Sequence, residues 1–319
     1  MNRICAAVLL VAAGGCASAP QRIYGPGQLR RELMRRAPER PELGKIVPFE
    51  IPAEAAARAQ EIVKSAKALT ERAKVTALVE AMFDPNDFGL VYAEVETVGA
   101  EQALKRRSGN CLDLANVFIG LSRAVGVRAE YMDASHQVHD TREVAGGLTL
   151  RSGHVTAAVD VGDERVGLDF ARLGPVQRYR LMDDVEAVAH FHNNRGWDLI
   201  DEALVSQGKV DWEAALGEFE AAVAIEPGFA AGWNNAGIAL ARLGRRKEAI
   251  ESYRQAAECN PKLAAPRANL ASLLLQKGDV RAAISELEEA LQAEPGNPRV
   301  LKLLQSAKAG APVPVPERP

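Results

Sequence analysis

Cys111, His154 and Asp169 bring a thiol, an imidazole and a carboxylate into one chain, in that order. The gaps are 43 positions (154 − 111) and 15 positions (169 − 154). These groups are the parts of a cysteine nucleophile, its base and the group that orients the base. If they converge in space, the chemistry is acyl transfer on a carbonyl. If they stay apart, what remains is a tethered binding protein.

The spacing around Cys111 predicts a helix that begins at the thiol. The run is Arg107-Ser108-Gly109-Asn110-Cys111-Leu112-Asp113-Leu114-Ala115. Leu112, Ala115, Phe118, Ile119 and Val125 fall on one stripe, and Gly126 is a natural stop. Backbone N–H groups and the helix dipole favour negative charge at a helix start, which suits the attacking thiolate. Asn110 or Ser108 can cap this helix, and the Cys111 N–H can double as an oxyanion donor. Gly109-Asn110 predicts a tight, exposed turn before the thiol rather than a buried structural cysteine.

The other two groups are expected on a hairpin. Val127, Ala129 and Tyr131 alternate with Arg128 and Glu130, which reads as a half-buried strand. Residues 133–153 read as a loop, and strands Val155–Val161 and Glu164–Phe170 flank Gly162-Asp163. A two-residue turn there opposes Val161 to Glu164, and therefore Thr156 to Asp169. His154 then lies on the Asp169 face as a diagonal neighbour, about 7 Å away. A three-residue loop would put the two side chains on opposite faces. Upstream, Pro52 to Met82 predicts two helices broken near Leu69–Arg72, and Pro85-Asn86 a turn.

Ser108-Gly109-Asn110-Cys111, Leu121-Ser122-Arg123-Ala124-Val125-Gly126-Val127, Gly153-His154-Val155 and Leu168-Asp169-Phe170 together resemble the transglutaminase-like superfamily, over roughly residues 55–180. The resemblance implies an α+β, papain-like domain at 51–185, with helices packed on a small antiparallel sheet. It also implies a Cys111/His154/Asp169 triad, and activities that include crosslinking, peptide hydrolysis and amide hydrolysis, with inactive members as well. The family often has an aromatic residue two positions after the histidine, where Thr156 stands here. Gln102 is the candidate for an upstream oxyanion side chain.

The C-terminal part has a different pattern. Pro227, Pro261 and Pro295 are 34 positions apart, and the same offset links Ala215, Ala249 and Ala283, then Phe219, Tyr253 and Leu287, then Ala222, Ala256 and Ala290. Small residues let paired helices approach, the large residue fills the groove, and proline ends the second helix. The pattern resembles the tetratricopeptide repeat, and implies an all-α solenoid of three repeats at 190–308 that binds a protein or peptide. Trp233-Asn234-Asn235-Ala236-Gly237 opens the best repeat, and His192-Asn193-Asn194-Arg195-Gly196 resembles it. Gly196 to Ala215 is 19 positions against 12 from Gly237 to Ala249, so the first helix is expected to be two turns longer. The tail at 309–319 is expected to be disordered.

At the other end, Asn2-Arg3 and the apolar run Ile4–Ala13 read as an export signal, too short to span a bilayer. The run ends in Ala13-Gly14-Gly15-Cys16, which resembles the lipobox of bacterial lipoproteins. That implies a signal at 1–16 and a lipid on Cys16. With Ala17 next, it also implies an outer-membrane anchor facing the periplasm. Residues 17–50, with six arginines among prolines and glycines, read as a tether.

Composition sets the outer limits. The 39 basic and 42 acidic residues leave a net charge near −3, which suggests no nucleic-acid partner. His136 and His139, and His190 and His192, have no further ligands at suitable spacing, so they read as solvated loop residues, with neither metal nor cofactor expected. Cys111 and Cys259 fall in different expected domains and no disulfide is expected; Cys259, Trp197, Trp212 and Trp233 read as packing. The resulting expectation is an envelope-anchored cysteine acyl-transfer enzyme acting on amides, with hydrolysis favoured. The alternative is a lipoprotein adaptor whose repeats bind a partner beside an inactive domain.

Overall fold

The computed structural model describes residues 9–12, 22–134, 141–144, 148–151, 154–170, 179–206 and 208–310. Cys16, His136, His139 and the tail beyond residue 310 lie outside the described residues. In chain order the elements are β1(Leu9–Ala12), α1(Pro26–Arg36), a 3-10 turn at Pro41–Lys45, α2(Ala53–Ser65), α3(Glu71–Phe83), β2(Val91–Tyr92), α4(Ala100–Arg106), β3(Ser108–Gly109), α5(Cys111–Ala124), β4(Ala129–Asp133), β5(Thr141–Val144), β6(Leu148–Arg151), β7(Val155–Val161), β8(Glu164–Asp169) and β9(Arg180–Met182). The helices α6(Asp184–Val205), α7(Trp212–Ile225), α8(Ala230–Arg242), α9(Arg246–Cys259), α10(Ala264–Lys277), α11(Val280–Ala293) and α12(Pro298–Ala309) follow. Residues 1–139 with 153–191 form one unit, and residues 140–152 with 192–319 form a second.

In the first unit a sheet of order β1-β8-β7-β4-β9 is antiparallel throughout. Helix α5 packs on β4 and β7, and every residue from Leu112 to Ser122 is buried. A helix apolar on nearly all sides needs cover on all sides. Gly120 allows part of that cover to come close: a Cβ there would lie 2.5 Å from the Phe49 carbonyl oxygen and 2.6 Å from Ile51 Cγ2. β1 falls inside the segment read as an export signal and pairs with the outer edge of β8, Leu9 opposite Asp169.

The tether expected at 17–50 is folded from Arg22 onward. Tyr24, Leu29, Leu33, Val47 and Phe49 are all buried. Leu29 and Leu33, four apart on α1, form a narrow apolar stripe that the neighbouring arginines obscure in the sequence. Those arginines are largely paired within the segment, Arg30 with Glu50 and Arg35 and Arg36 with Glu32. Buried Asp184 ties the segment down. It accepts the Tyr24 N–H at 2.8 Å and a forked pair from Arg123 at 2.7 and 2.9 Å. The same guanidinium stacks 4.5 Å from the centroid of Phe49.

Part of the expected loop at 133–153 is a second correction. β5 and β6 pair antiparallel, with Thr141 opposite Arg151 and Val144 opposite Leu148. Strand-forming residues on either side of Gly146-Gly147 account for the hairpin.

The second unit stacks paired helices. α6 has 22 residues against 13 in α8, but it ends at Val205, so only about one extra turn, not two, follows Gly196, and the rest of the added length lies ahead of it. Size complementarity sets the pairing. A Cβ on Gly237 would lie 2.6 Å from the Tyr253 ring, and one on Gly196 2.5 Å from Phe219. Trp197 and Trp212 join this core, whereas Trp233 is half-buried and donates its Nε1–H to the Pro227 carbonyl. Cys259 is only partly buried at the end of α9, its Sγ 3.4 Å from the same carbonyl, and burial pushes its thiol pKa up. His190 and His192, expected in a loop, are buried within α6, because that helix starts at Asp184. His192 Nδ1 lies 2.7 Å from Glu218 Oε2.

Candidate active site

The start of α5 is held by a set of short polar contacts. Asn110 is the cap, its Oδ1 accepting the Asp113 N–H at 3.0 Å. Its Nδ2 donates to Thr97 Oγ1 at 2.8 Å and to the Val95 carbonyl at 3.2 Å. β2 and β3 pair in parallel, with the Val91 N–H on the Arg107 carbonyl and the Ala93 N–H on the Gly109 carbonyl, both at 3.0 Å. Arg107 ends α4 at φ 54, a left-handed conformation that costs a residue with a side chain free energy. That strain is spent on turning the chain into Ser108-Gly109-Asn110.

Asp113 is the anchor of this region. Fully buried, it accepts the N–H groups of Val98 and Gly99 at 3.0 Å each and an N–H of Arg106 at 2.9 Å. Burial pushes its pKa up, and those three donors and the cap hold back part of the rise. The loop at 93–99 is thereby fastened to the first turn of the helix. Cys111, at the first helical position, stays half-exposed, and its N–H has no intrahelical acceptor.

The hairpin brings the other two groups together. Val161 opposes Glu164, so Gly162-Asp163 is a two-residue turn, with Gly162 at φ 66 as the first turn position of a II′ turn requires. His154 Nε2 and Asp169 Oδ1 are 3.6 Å apart, and both residues are buried. This is longer than a made hydrogen bond, as catalytic contacts often are without substrate. The Ala134 N–H donates to the His154 carbonyl at 2.8 Å, which fixes the backbone where β7 begins. Burial pulls the His154 pKa down, but Asp169 and Cys111 outweigh it and the pKa rises to about 10. Thr156 is fully buried, its hydroxyl bonded to the Leu168 carbonyl, so the position that is often aromatic in the family points into the hairpin. Gln102 is exposed on α4.

Thr97, Arg106 and Asp113 support the site without having been singled out in the sequence. Asp113 had a visible signal: an acid in the first turn of a helix sits at the positive end of the dipole. Its two backbone partners in a preceding loop had none. Among the described residues, no group of three or more His, Cys, Asp or Glu side chains is placed to hold a metal ion. A thiol at a helix start, an imidazole and a carboxylate beside that imidazole are the groups that acyl transfer on a carbonyl uses.

Comparison with known proteins agrees with this division. Residues 56–165 match the transglutaminase-like superfamily, and residues 240–307 match the tetratricopeptide repeat. The chain therefore carries a transglutaminase-like domain, a mixed helix and small-sheet fold, followed by helical tetratricopeptide repeats. No curated protein matches the chain. Among solved structures it is similar to the type III secretion chaperone SycD of Yersinia enterocolitica in complex with a translocator peptide, at 24% identity over 36% of this chain and 92% of that one, with a TM-score of 0.32. It is also similar to the tetratricopeptide domain of Arabidopsis OM64, at 14% identity over 40% of this chain and 98% of that one, with a TM-score of 0.35.

Proposed function

We propose that this protein is a cysteine acyl-transfer enzyme acting on amide bonds of a protein or peptide, with hydrolysis favoured over crosslinking. The observation that supports the reading is the 3.6 Å approach of buried His154 Nε2 to the buried carboxylate of Asp169, with Cys111 among the groups that raise the pKa of the ring. With Nε2 turned to Asp169, Nδ1 is the nitrogen left to face the thiol. His154, with its pKa near 10, already carries the proton when Cys111 Sγ attacks the amide carbonyl carbon. The C–N bond then breaks, the amine leaves with that proton, and a thioester remains on Cys111. Water attacks the thioester, His154 takes a water proton, the C–S bond breaks and a carboxylic acid departs. Asp169 orients the ring and stabilises its charged form. The Cys111 N–H is placed to donate to the developing oxyanion.

In the same reading the repeats bind the protein or peptide that is acted on, and a lipid on Cys16 anchors the chain to the outer membrane facing the periplasm. Ala13-Gly14-Gly15-Cys16 supports the anchor. A Cys16→Ser variant that stays in the membrane fraction would remove that part. An electrophilic amide probe tests the chemistry. It should label the wild type and fail on Cys111→Ala, with intact mass placing the adduct on Cys111. An unlabelled wild type that still co-purifies with a partner would instead establish the adaptor reading.

A further inference from the structure

The first helices of the repeats carry a continuous line of side-chain amides. Asn235 Nδ2 donates to Asn193 Oδ1 at 2.9 Å, and Asn234 Nδ2 to Asn235 Oδ1 at 3.1 Å. Asn269 Nδ2 donates to Asn234 Oδ1, and an Arg299 N–H to Asn269 Oδ1, both at 2.9 Å. The line crosses α6, α8, α10 and α12, and each of the four asparagines is at most 1% exposed.

The face that carries Asn235 and Asn269 is not the one turned to the second helices. Asn235 precedes Gly237 by two positions, about 200° round the helix, and Gly237 is the residue that meets Tyr253 of α9. Asn235 therefore stands on the opposite face, and Asn269 holds the corresponding place 34 positions later on α10. Strand β6 packs against both α8 and α10, within the same unit as the repeats. A two-stranded ribbon leaves a row of backbone N–H and C=O groups along each outer edge. A carboxamide can donate twice and accept twice, so bonds along the line and bonds to a strand backbone are compatible on one residue.

We infer that the amide-lined face of the repeats is a binding site for an extended peptide backbone, and that strand β6 of this chain is its resident occupant until a competing peptide displaces it. The chain thus carries its own pseudo-ligand, in the segment Leu148-Thr149-Leu150-Arg151. The inference rests on the helices and the hairpin alone, so it stands or falls separately from the chemistry at Cys111.

The test uses a fluorescent peptide of residues 141–151 and two full-length chains, the wild type and one with 141–151 replaced by a Gly-Ser segment of equal length. The replaced chain should bind the peptide at least tenfold more tightly than the wild type. Adding Asn235→Leu and Asn269→Leu to it should abolish binding while its helical circular dichroism persists. Equal affinity in the two chains, or no binding to either, overturns the inference. Hydrogen exchange of the intact wild type needs no variant. The amides of 148–151 should exchange faster as peptide is added, and an unchanged rate at saturating peptide also overturns it.

Discussion

The Asp169 carboxylate lies 3.6 Å from His154 Nε2 because a two-residue turn places both on one face of the β7–β8 ribbon. Asp169→Asn keeps the shape but removes the charge that fixes the ring and its tautomer. We expect the rate of Cys111 acylation to fall roughly 10³-fold, with the melting temperature little changed. Single-turnover kinetics with an activated amide measure this, and a rate within a few-fold of wild type would show that Asp169 does not orient the base.

The charge state of His154 makes stability depend on pH. Its folded pKa, about 10, is raised above the ordinary value of 6.5. The stabilisation from the charged imidazole is therefore fully present below 6.5 and is lost as pH rises through about 10. Comparing wild type with His154→Gln in urea at pH 6 and at pH 10.5 isolates this contribution. The wild type should lead at pH 6, and the lead should shrink at pH 10.5.

Asp113 holds three donors while fully buried. Asp113→Ala leaves the Val98 and Gly99 N–H groups without their acceptor and takes one of several acceptors from Arg106, which should cost roughly 3 kcal/mol. It should also loosen residues 93–99, seen as faster amide exchange there. A loss well under 1 kcal/mol with unchanged exchange would mean that the loop is held by other contacts.

The repeats offer a paired test of packing. Gly237→Ala pushes a methyl against the buried Tyr253 ring, which should cost about 1–3 kcal/mol. Gly217→Ala, on α7 with nothing within 4 Å, should be neutral or stabilising by up to about 1 kcal/mol. Urea midpoints for the two variants should move in different directions, or at least by clearly different amounts.

How much of this was legible depended on whether the signal was local. The helix at Cys111, the turn at Gly162-Asp163 and the 34-residue period are patterns of neighbours, and all of them are seen in the structure. Residues 22–50 were misread because two leucines four apart are a faint stripe beside so many arginines. The contacts that tie Tyr24 and Phe49 down come from Asp184 and Arg123, which lie far away in sequence. His190 and His192 read as loop residues because the sequence does not mark the start of their helix at Asp184, six positions before His190. The 3.6 Å approach of His154 to Asp169 followed from strand parity, whereas the support from Asp113 to a distant loop left no periodic trace.

Trapping the acyl-enzyme tests the central claim most directly. Wild type mixed with an activated amide and quenched early should carry one acyl group on Cys111 by mass spectrometry. Cys111→Ala should carry none, and His154→Ala should acylate at least 10²-fold more slowly. Wild type that turns over without an adduct on Cys111, or a His154→Ala variant that acylates at the wild-type rate, would contradict the account.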